Sequence, residues 1–69
     1  MPLIYAEMGK PAIIKKIGGN PEVRKHLTDL GFSVGGEISV VSSVGRNLIV
    51  KVMDSRVAVS EELAGKIMI

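Results

Sequence analysis

The side chains best suited to chemistry are one histidine and two carboxylates on a predicted helix. His26 is the only histidine, with Glu22 four residues before it and Asp29 three residues after it. These spacings place all three on one helix face. Nitrogen and oxygen ligands of this kind suit Fe(II), Mn(II) or Zn(II), so Glu22, His26 and Asp29 are a candidate weak metal site. The alternative is a solvated flank with ordinary ion pairs, because durable transition-metal sites usually recruit several imidazoles or thiolates.

The other reactive groups form no recognisable catalytic set. There is no cysteine, which excludes disulfides and thiolate ligands. The four methionines are scattered and are predicted to fill the core or a contact surface, since as ligands they would suit Cu(I). Nothing supports a serine triad around the histidine, and Gly18-Gly19-Asn20 lacks the spacing of a phosphate-binding loop. We therefore predict no enzymatic activity and no cofactor beyond weak binding of a divalent metal.

A second candidate site is a predicted hairpin whose exposed side mixes apolar and basic groups. Gly45, Arg46 and Asn47 are predicted to form the turn, with Arg46 at its tip. In the following strand, Ile49 and Met53 are expected on the outer face with Lys51 between them. Residue by residue, a solvated strand face would look the same. As a patch, these side chains predict a docking surface for a partner protein, comprising Arg46, Ile49, Lys51 and Met53.

Length and charge favour one small domain that spans residues 1–69. A core of this size rarely supplies more than about 3–5 kcal/mol of net stability. Nine Lys or Arg interleave with seven Asp or Glu, and the only aromatics are Tyr5 and Phe32. Nucleic-acid domains concentrate positive charge and add stacking groups, so nucleic acid is disfavoured as a partner. We expect no secretory signal and no membrane insertion, because no apolar run approaches about 20 residues.

Glycines divide the chain into short segments, which is typical of an all-β domain with minor helix. The pattern predicts a helical turn over Leu3 to Met8, closed by Gly9. Adjacent Ile13 and Ile14 predict a bulge in the first strand. Closure would remove exposed edges, so we expect a small barrel. Its five predicted strands are Lys10 to Ile17, Ile38 to Val44, Leu48 to Met53, Arg56 to Val59 and Ile67 to Ile69, with Asp54-Ser55 as the turn before the fourth.

One longer helix is predicted from Pro21 to Leu30. Asn20 is a suitable N-cap, and Pro21 fits the first helical position. Gly31 is expected to end the helix with a positive φ, so that Phe32 can pack back on the last turn. Ser60 is predicted to cap a further short helical turn near the end of the chain.

The order of these segments resembles the FeoA family. Leu27 to Glu37 reads Leu-Thr-Asp-Leu-Gly-Phe-Ser-Val-Gly-Gly-Glu, which is similar to the family's helix ending in Leu-x-x-Leu-Gly before a turn and a strand. Residues 54–67 resemble the family's Gly-x-Arg-Ile-Ala-Leu strand and Ala-x-x-Ile close, and residues 3–17 resemble its opening. The chain departs from the pattern at Val34, where proline is usual, and at Asp54, where glycine is common.

The resemblance implies a small SH3-like five-stranded barrel with one inserted helix, a fold shared with the C-terminal domain of iron-dependent repressors. It implies a cytoplasmic adaptor for bacterial ferrous iron uptake that docks on the membrane ferrous transporter, the B protein with its GTP-binding domain. The alternative is a regulatory or peptide-binding module like that of metal-dependent repressors, although no helix-turn-helix is predicted. A third, more remote class is a metal chaperone that hands over Fe(II). The sequence leaves open the effect on GTP hydrolysis and whether the chain self-associates.

Overall fold

Short strands dominate the computed structural model, which describes residues 1–69. A 3₁₀ turn, Leu3–Tyr5, opens the chain. The structure also contains two α-helices, and neither of them is long and apolar enough to cross a membrane. The predicted class, mostly β with small helices, is confirmed. The strands are β1 (Ala12–Ile13), β2 (Lys16–Ile17), β3 (Glu37–Val44), β4 (Asn47–Val52), β5 (Ser55–Ser60) and β6 (Ile67–Met68), and the helices are α1 (Pro21–Asp29) and α2 (Glu61–Ala64).

The strands form two sheets rather than one continuous closed ladder. A four-stranded sheet has the order β1-β3-β4-β5, and β2 pairs with β6 in a second sheet. The single first strand predicted over Lys10 to Ile17 is thus divided, because its first half pairs with β3 and its second half with β6. Ile14 lies at the corner between them, fully buried, and its N–H bonds the Gly36 carbonyl at 2.9 Å. The irregularity expected at Ile13 and Ile14 is therefore a corner that lets one segment serve both sheets.

Helix α1 begins and ends where local capping chemistry dictates. The Asn20 side chain accepts a hydrogen bond from the Val23 N–H at 2.9 Å, which satisfies one of the free donors of the first turn. Gly31 has a φ of +106°, and the Phe32 N–H bonds the Leu27 carbonyl at 3.0 Å. This is the glycine-terminated ending that was predicted. It turns Phe32 into the core, where its side chain is completely buried.

The interior is built only from apolar side chains. Alternate residues of β4 point inward. Helix α2 connects β5 to β6. It is capped by a 3.2 Å hydrogen bond from the Leu63 N–H to the Ser60 hydroxyl. Alternation therefore leaves Ile49 and Lys51 on the outer face of β4. The buried residues are Leu3, Ile14, Leu27, Phe32, Ile38, Val40, Leu48, Val50, Val52, Val59, Ala64 and Ile67.

Candidate docking surface

The outer face of β3, β4 and β5 carries the side chains that the core does not use. Strand register places Ser42, Ile49 and Ala58 in one row across the three strands, and Ser39, Lys51 and Arg56 in the next. Lys51, Arg56 and Ala58 are exposed, whereas Ile49 is only partly so, because it lies between two neighbouring strands. We refer to these six residues as the outer sheet face. It combines small polar, apolar and cationic groups.

The predicted docking patch does not lie at one hairpin tip. Arg46 sits in the β3–β4 turn and Met53 in the β4–β5 turn, so the two lie at opposite ends of β4. At about 3.3 Å of rise per residue, they are separated by roughly 20 Å. Ile49 and Lys51 lie between them on the outer sheet face. The structure therefore separates Arg46 from Met53, and the docking role of the four residues stays a prediction.

The turn before β5 lies one residue earlier than predicted. Val52 pairs with Ser55, which leaves Met53 and Asp54 as a two-residue turn with φ values of 50° and 62°. Two successive left-handed residues suit the twist of a hairpin, but asparagine, aspartate or glycine usually occupies them. Met53 breaks that preference, so the pattern concealed the turn. The side chain is 76% exposed and projects from the turn rather than from the strand.

Lys51 and Arg56 form a cross-strand pair of like charges. They lie directly opposite each other in the β4–β5 register. Such pairs are destabilising when no anion intervenes. The one ion pair in the molecule joins Lys10 and Glu7 at 3.3 Å, so neither cation of the sheet has a carboxylate in contact. Sequence reasoning missed Arg56, although a correct placement of the turn would have revealed the pairing.

An open cavity lies beside Lys51, at the end of the outer sheet face nearest the β4–β5 turn. Its volume is about 410 Å³. The carboxylates of Glu37 and Asp54 share this cavity with Lys51 without reaching ion-pair distance. Arg56 is not among its lining residues, which are Pro11, Glu37, Ile38, Ser39, Lys51, Met53 and Asp54. The cavity therefore joins Lys51 and Met53, two of the four predicted docking residues.

The flank of α1 holds the candidate metal ligands. Glu22, His26 and Asp29 are all exposed on this helix. Across the molecule, no three His, Asp or Glu side chains are grouped closely enough to hold a metal ion. The helical spacing therefore does not produce a formed ligand cluster, and metal binding by these residues stays a prediction.

Comparison with known proteins identifies the family. The pattern of the FeoA domain matches residues 1–69. A Methanocaldococcus jannaschii protein provisionally named Fe(2+) transport protein A is 29% identical over 68 residues, which are 99% of this chain and 83% of that protein. The crystal structure of an iron uptake regulatory protein, FeoA, has a TM-score of 0.88 at 33% identity, with 97% of this chain and 89% of that chain covered.

Two more distant structures confirm the SH3-like fold. Stenotrophomonas maltophilia FeoA complexed with zinc, described as a procaryotic SH3 domain protein, has a TM-score of 0.84 at 24% identity, covering 99% of this chain and 87% of that chain. A manganese-dependent transcriptional repressor has a TM-score of 0.87 at 16% identity, covering 97% of this chain but 39% of the repressor. The predicted likeness to a metal-dependent repressor is thus confirmed for the fold alone. With its whole length matched, the chain belongs to the FeoA family of non-enzymatic accessory proteins of ferrous iron transport.

Proposed function

We propose that this chain is a cytoplasmic adaptor that docks on the membrane ferrous iron transporter, the B protein with its GTP-binding domain. Membership of the FeoA family supports a role in ferrous iron transport. The observation that carries the docking role is the outer sheet face, where Lys51 and Arg56 stand opposite each other without a carboxylate partner. A partner that supplies negative charge would relieve their repulsion.

The docking surface is centred on Lys51 and Met53. Both line the open cavity, and Met53 is 76% exposed. Cores of protein interfaces are enriched in methionine, which supports Met53 as a contact, whereas lysine is depleted there, so Lys51 would contribute through its charge. Arg46, at the other end of β4, would contact only the edge of a partner centred here. The role of Ile49 is to present partly buried apolar surface between these points.

Binding to the transporter is the first test of the adaptor role. The full chain is passed over the immobilised cytoplasmic region of the B protein, with an unrelated SH3-like domain as the control. We expect specific, saturable binding. Met53→Ala should mainly speed dissociation, because contacts at an interface core act chiefly on the off-rate. Absence of binding at every nucleotide state of the GTP-binding domain would contradict the proposal.

Iron uptake tests whether docking has a consequence. Cells that lack the native FeoA protein but retain the transporter are supplied with this chain or with Met53→Ala, and radiolabelled ferrous iron is followed anaerobically. Uptake should be restored by the native chain and reduced with the variant at equal protein level. Full restoration by a variant that no longer binds the transporter would separate uptake from docking and refute the adaptor mechanism.

A further inference from the structure

We propose that the open edge of β5 accepts an extended acidic segment of a partner protein as an added β-strand, with a carboxylate of that segment opposite Arg56. This inference rests on the proposed adaptor function for the identity of the partner. Its physical basis is independent of that identity, because it combines free backbone groups with an unmatched cation on one strand. Addition of a strand to a sheet edge is an established mode of peptide recognition.

The edge of β5 that faces away from β4 has no strand paired with it. β5 is the last strand of its sheet and pairs only with β4. Its register over Ser55–Ser60 is continuous, and it contains no proline. Natural proteins generally shield such edges with short strands, bulges, prolines or covering elements. At the opposite edge of this sheet, β1 has just two residues, so β5 is the edge that can hold a partner strand.

The phase of the β4–β5 ladder shows which backbone groups face outward. The Glu61 N–H bonds the Arg46 carbonyl at 2.9 Å, a bond that flanks the Asn47–Ser60 pair. That pair is therefore of the type whose members do not bond each other. Such pairs alternate along the ladder, so Ala58 and Arg56 are of the same type. Their N–H and C=O groups point away from β4, and no backbone bond outside the ladders involves them.

Charge decides what kind of strand fits. Pairs of this type bring their side chains closest, so the repulsion between Lys51 and Arg56 is at its strongest geometry. The carboxylates of Glu37 and Asp54 line the cavity together with Lys51, and Arg56 is not among the lining residues. Arg56 is thus the cation left facing the open edge. A glutamate or aspartate opposite it would be attracted, and a lysine repelled.

The neighbouring positions define the rest of the partner segment. Two residues along the outer face, Ala58 is small and exposed, and partly buried Ile49 lies behind it. On the inner side, Val57 is partly buried at the rim of the core. The matching segment therefore has an acidic residue and a small or apolar residue two positions apart on its outer face. The residue between them is apolar and points to the side of the core. A second copy of β5 offers no carboxylate, since the sequence of this strand is Ser-Arg-Val-Ala-Val-Ser.

The direct test is a titration of the isotope-labelled full chain with short capped peptides, followed by NMR. The probe alternates valine with threonine and has one glutamate on its threonine face. The matched control has lysine in place of that glutamate. We expect the glutamate peptide to shift the Arg56 and Ala58 amide signals and to slow their exchange with solvent. The lysine peptide should bind several-fold more weakly.

Two variants separate the contribution of charge from that of the backbone. Arg56→Glu should weaken binding of the glutamate peptide by about three- to tenfold and favour the lysine peptide instead. Ala58→Pro removes an outward N–H without removing a ladder bond, so it should weaken both peptides. Arg24→Glu, with the same change of charge on the exposed side of α1, is the control and should bind like the native chain.

The outcomes distinguish this inference from the adaptor function. The inference would be overturned if the Arg56 and Ala58 amide signals did not shift, if the two peptides bound equally, or if self-association of the chain protected the β5 edge. If the transporter's cytoplasmic region binds the native chain, Arg56→Glu and Ala58→Pro equally, the adaptor function is supported and strand addition at β5 is refuted. If the glutamate peptide binds the β5 edge but the transporter does not bind the chain, strand addition at β5 is supported and the adaptor function is refuted.

Discussion

The flank of α1 and the outer sheet face both expose cations that form no ion pair, but only the helix spaces its cations among acids of its own element. Lys25 lies four residues before Asp29, and Glu22 four residues before His26, spacings at which helical side chains are neighbours. Across the sheet, Lys51 faces Arg56. The helix therefore balances its charge among residues close in sequence, whereas the sheet concentrates positive charge through its register.

This difference in charge arrangement supports placing the docking partner on the sheet. Neither surface contains a formed ion pair, but acids one helical turn away lower the net positive charge of the helix flank, so an added anion gains less there. The sheet has two cations in its closest cross-strand geometry and no carboxylate in contact with either. Any partner that provides acids there removes a repulsion as well as forming a contact. The following predictions test whether the helix is fixed locally and the sheet is the site left for a partner.

The largest effect is expected at the end of α1. Gly31→Val should lower the free energy of unfolding by about 2 kcal/mol, because valine is strained at a φ of +106°. Space is not the reason, since an added Cβ would lie 3.7 Å from Val52 and 3.8 Å from Met53, ordinary contact distances. Urea unfolding measures the change. Gly65→Ala, at a helical φ of −65°, is the control, and equal stability of both variants would contradict the local account of the helix end.

The β4–β5 turn should respond in the opposite direction. Met53→Asn should raise the free energy of unfolding by about 1 kcal/mol, because asparagine tolerates the left-handed conformation that Met53 adopts at a φ of 50°. Little burial is lost, since the methionine is 76% exposed. Thermal and urea unfolding check the stability. If the same variant also dissociates faster from the transporter, Met53 is retained for contact rather than for folding; unchanged binding would remove it from the docking surface.

A smaller effect isolates the like-charge pair of the sheet. Arg56→Glu should stabilise the fold by about 0.5 kcal/mol at low salt, because repulsion from Lys51 becomes attraction. The gain should shrink as salt is added. Arg46→Glu serves as the control, since Arg46 lies in a turn without a cation opposite it. A destabilised Arg56→Glu chain would show that Arg56 already has a partner that the register does not reveal.

The smallest effect is expected for metal binding by the helix. Anaerobic calorimetry with Fe(II) should give weak binding at best, and His26→Ala should change it little, because Glu22, His26 and Asp29 form no closed cluster. Submicromolar affinity that is lost in His26→Ala would place a metal site on α1. It would also give the helix flank a function of its own.

The helix could be predicted from sequence because its signals are local. Asn20, Pro21 and Gly31 each act on backbone within a few residues, so start, end and the burial of Phe32 followed from short-range rules. The first strand was harder, since its division at Ile14 depends on two different distant partners, β3 and β6. No local pattern states which strand will pair with which half.

The candidate docking surface was harder still to predict from sequence, because its register depends on a turn that contains an unusual residue. Met53 occupies a left-handed position where methionine is disfavoured, so the turn was assigned to Asp54 and Ser55. A turn at Asp54 and Ser55 would shift the register by two residues, which keeps Lys51 on the same face but places it opposite Ala58 instead of Arg56. The predicted turn thus placed Met53 inside the strand and concealed the pairing of Lys51 with Arg56. Sequence thus identified Lys51 but grouped it with Arg46, which lies at the other end of β4.

The most direct test of the central claim compares one charge reversal on each surface. Lys51→Glu and Lys25→Glu, both confirmed to be folded, are titrated against the cytoplasmic region of the ferrous transporter at low and high salt. The sheet account predicts that Lys51→Glu weakens binding several-fold, mostly at low salt, and that Lys25→Glu binds like the native chain. Normal binding by Lys51→Glu together with loss of binding by Lys25→Glu would place the docking site on the helix and contradict the account.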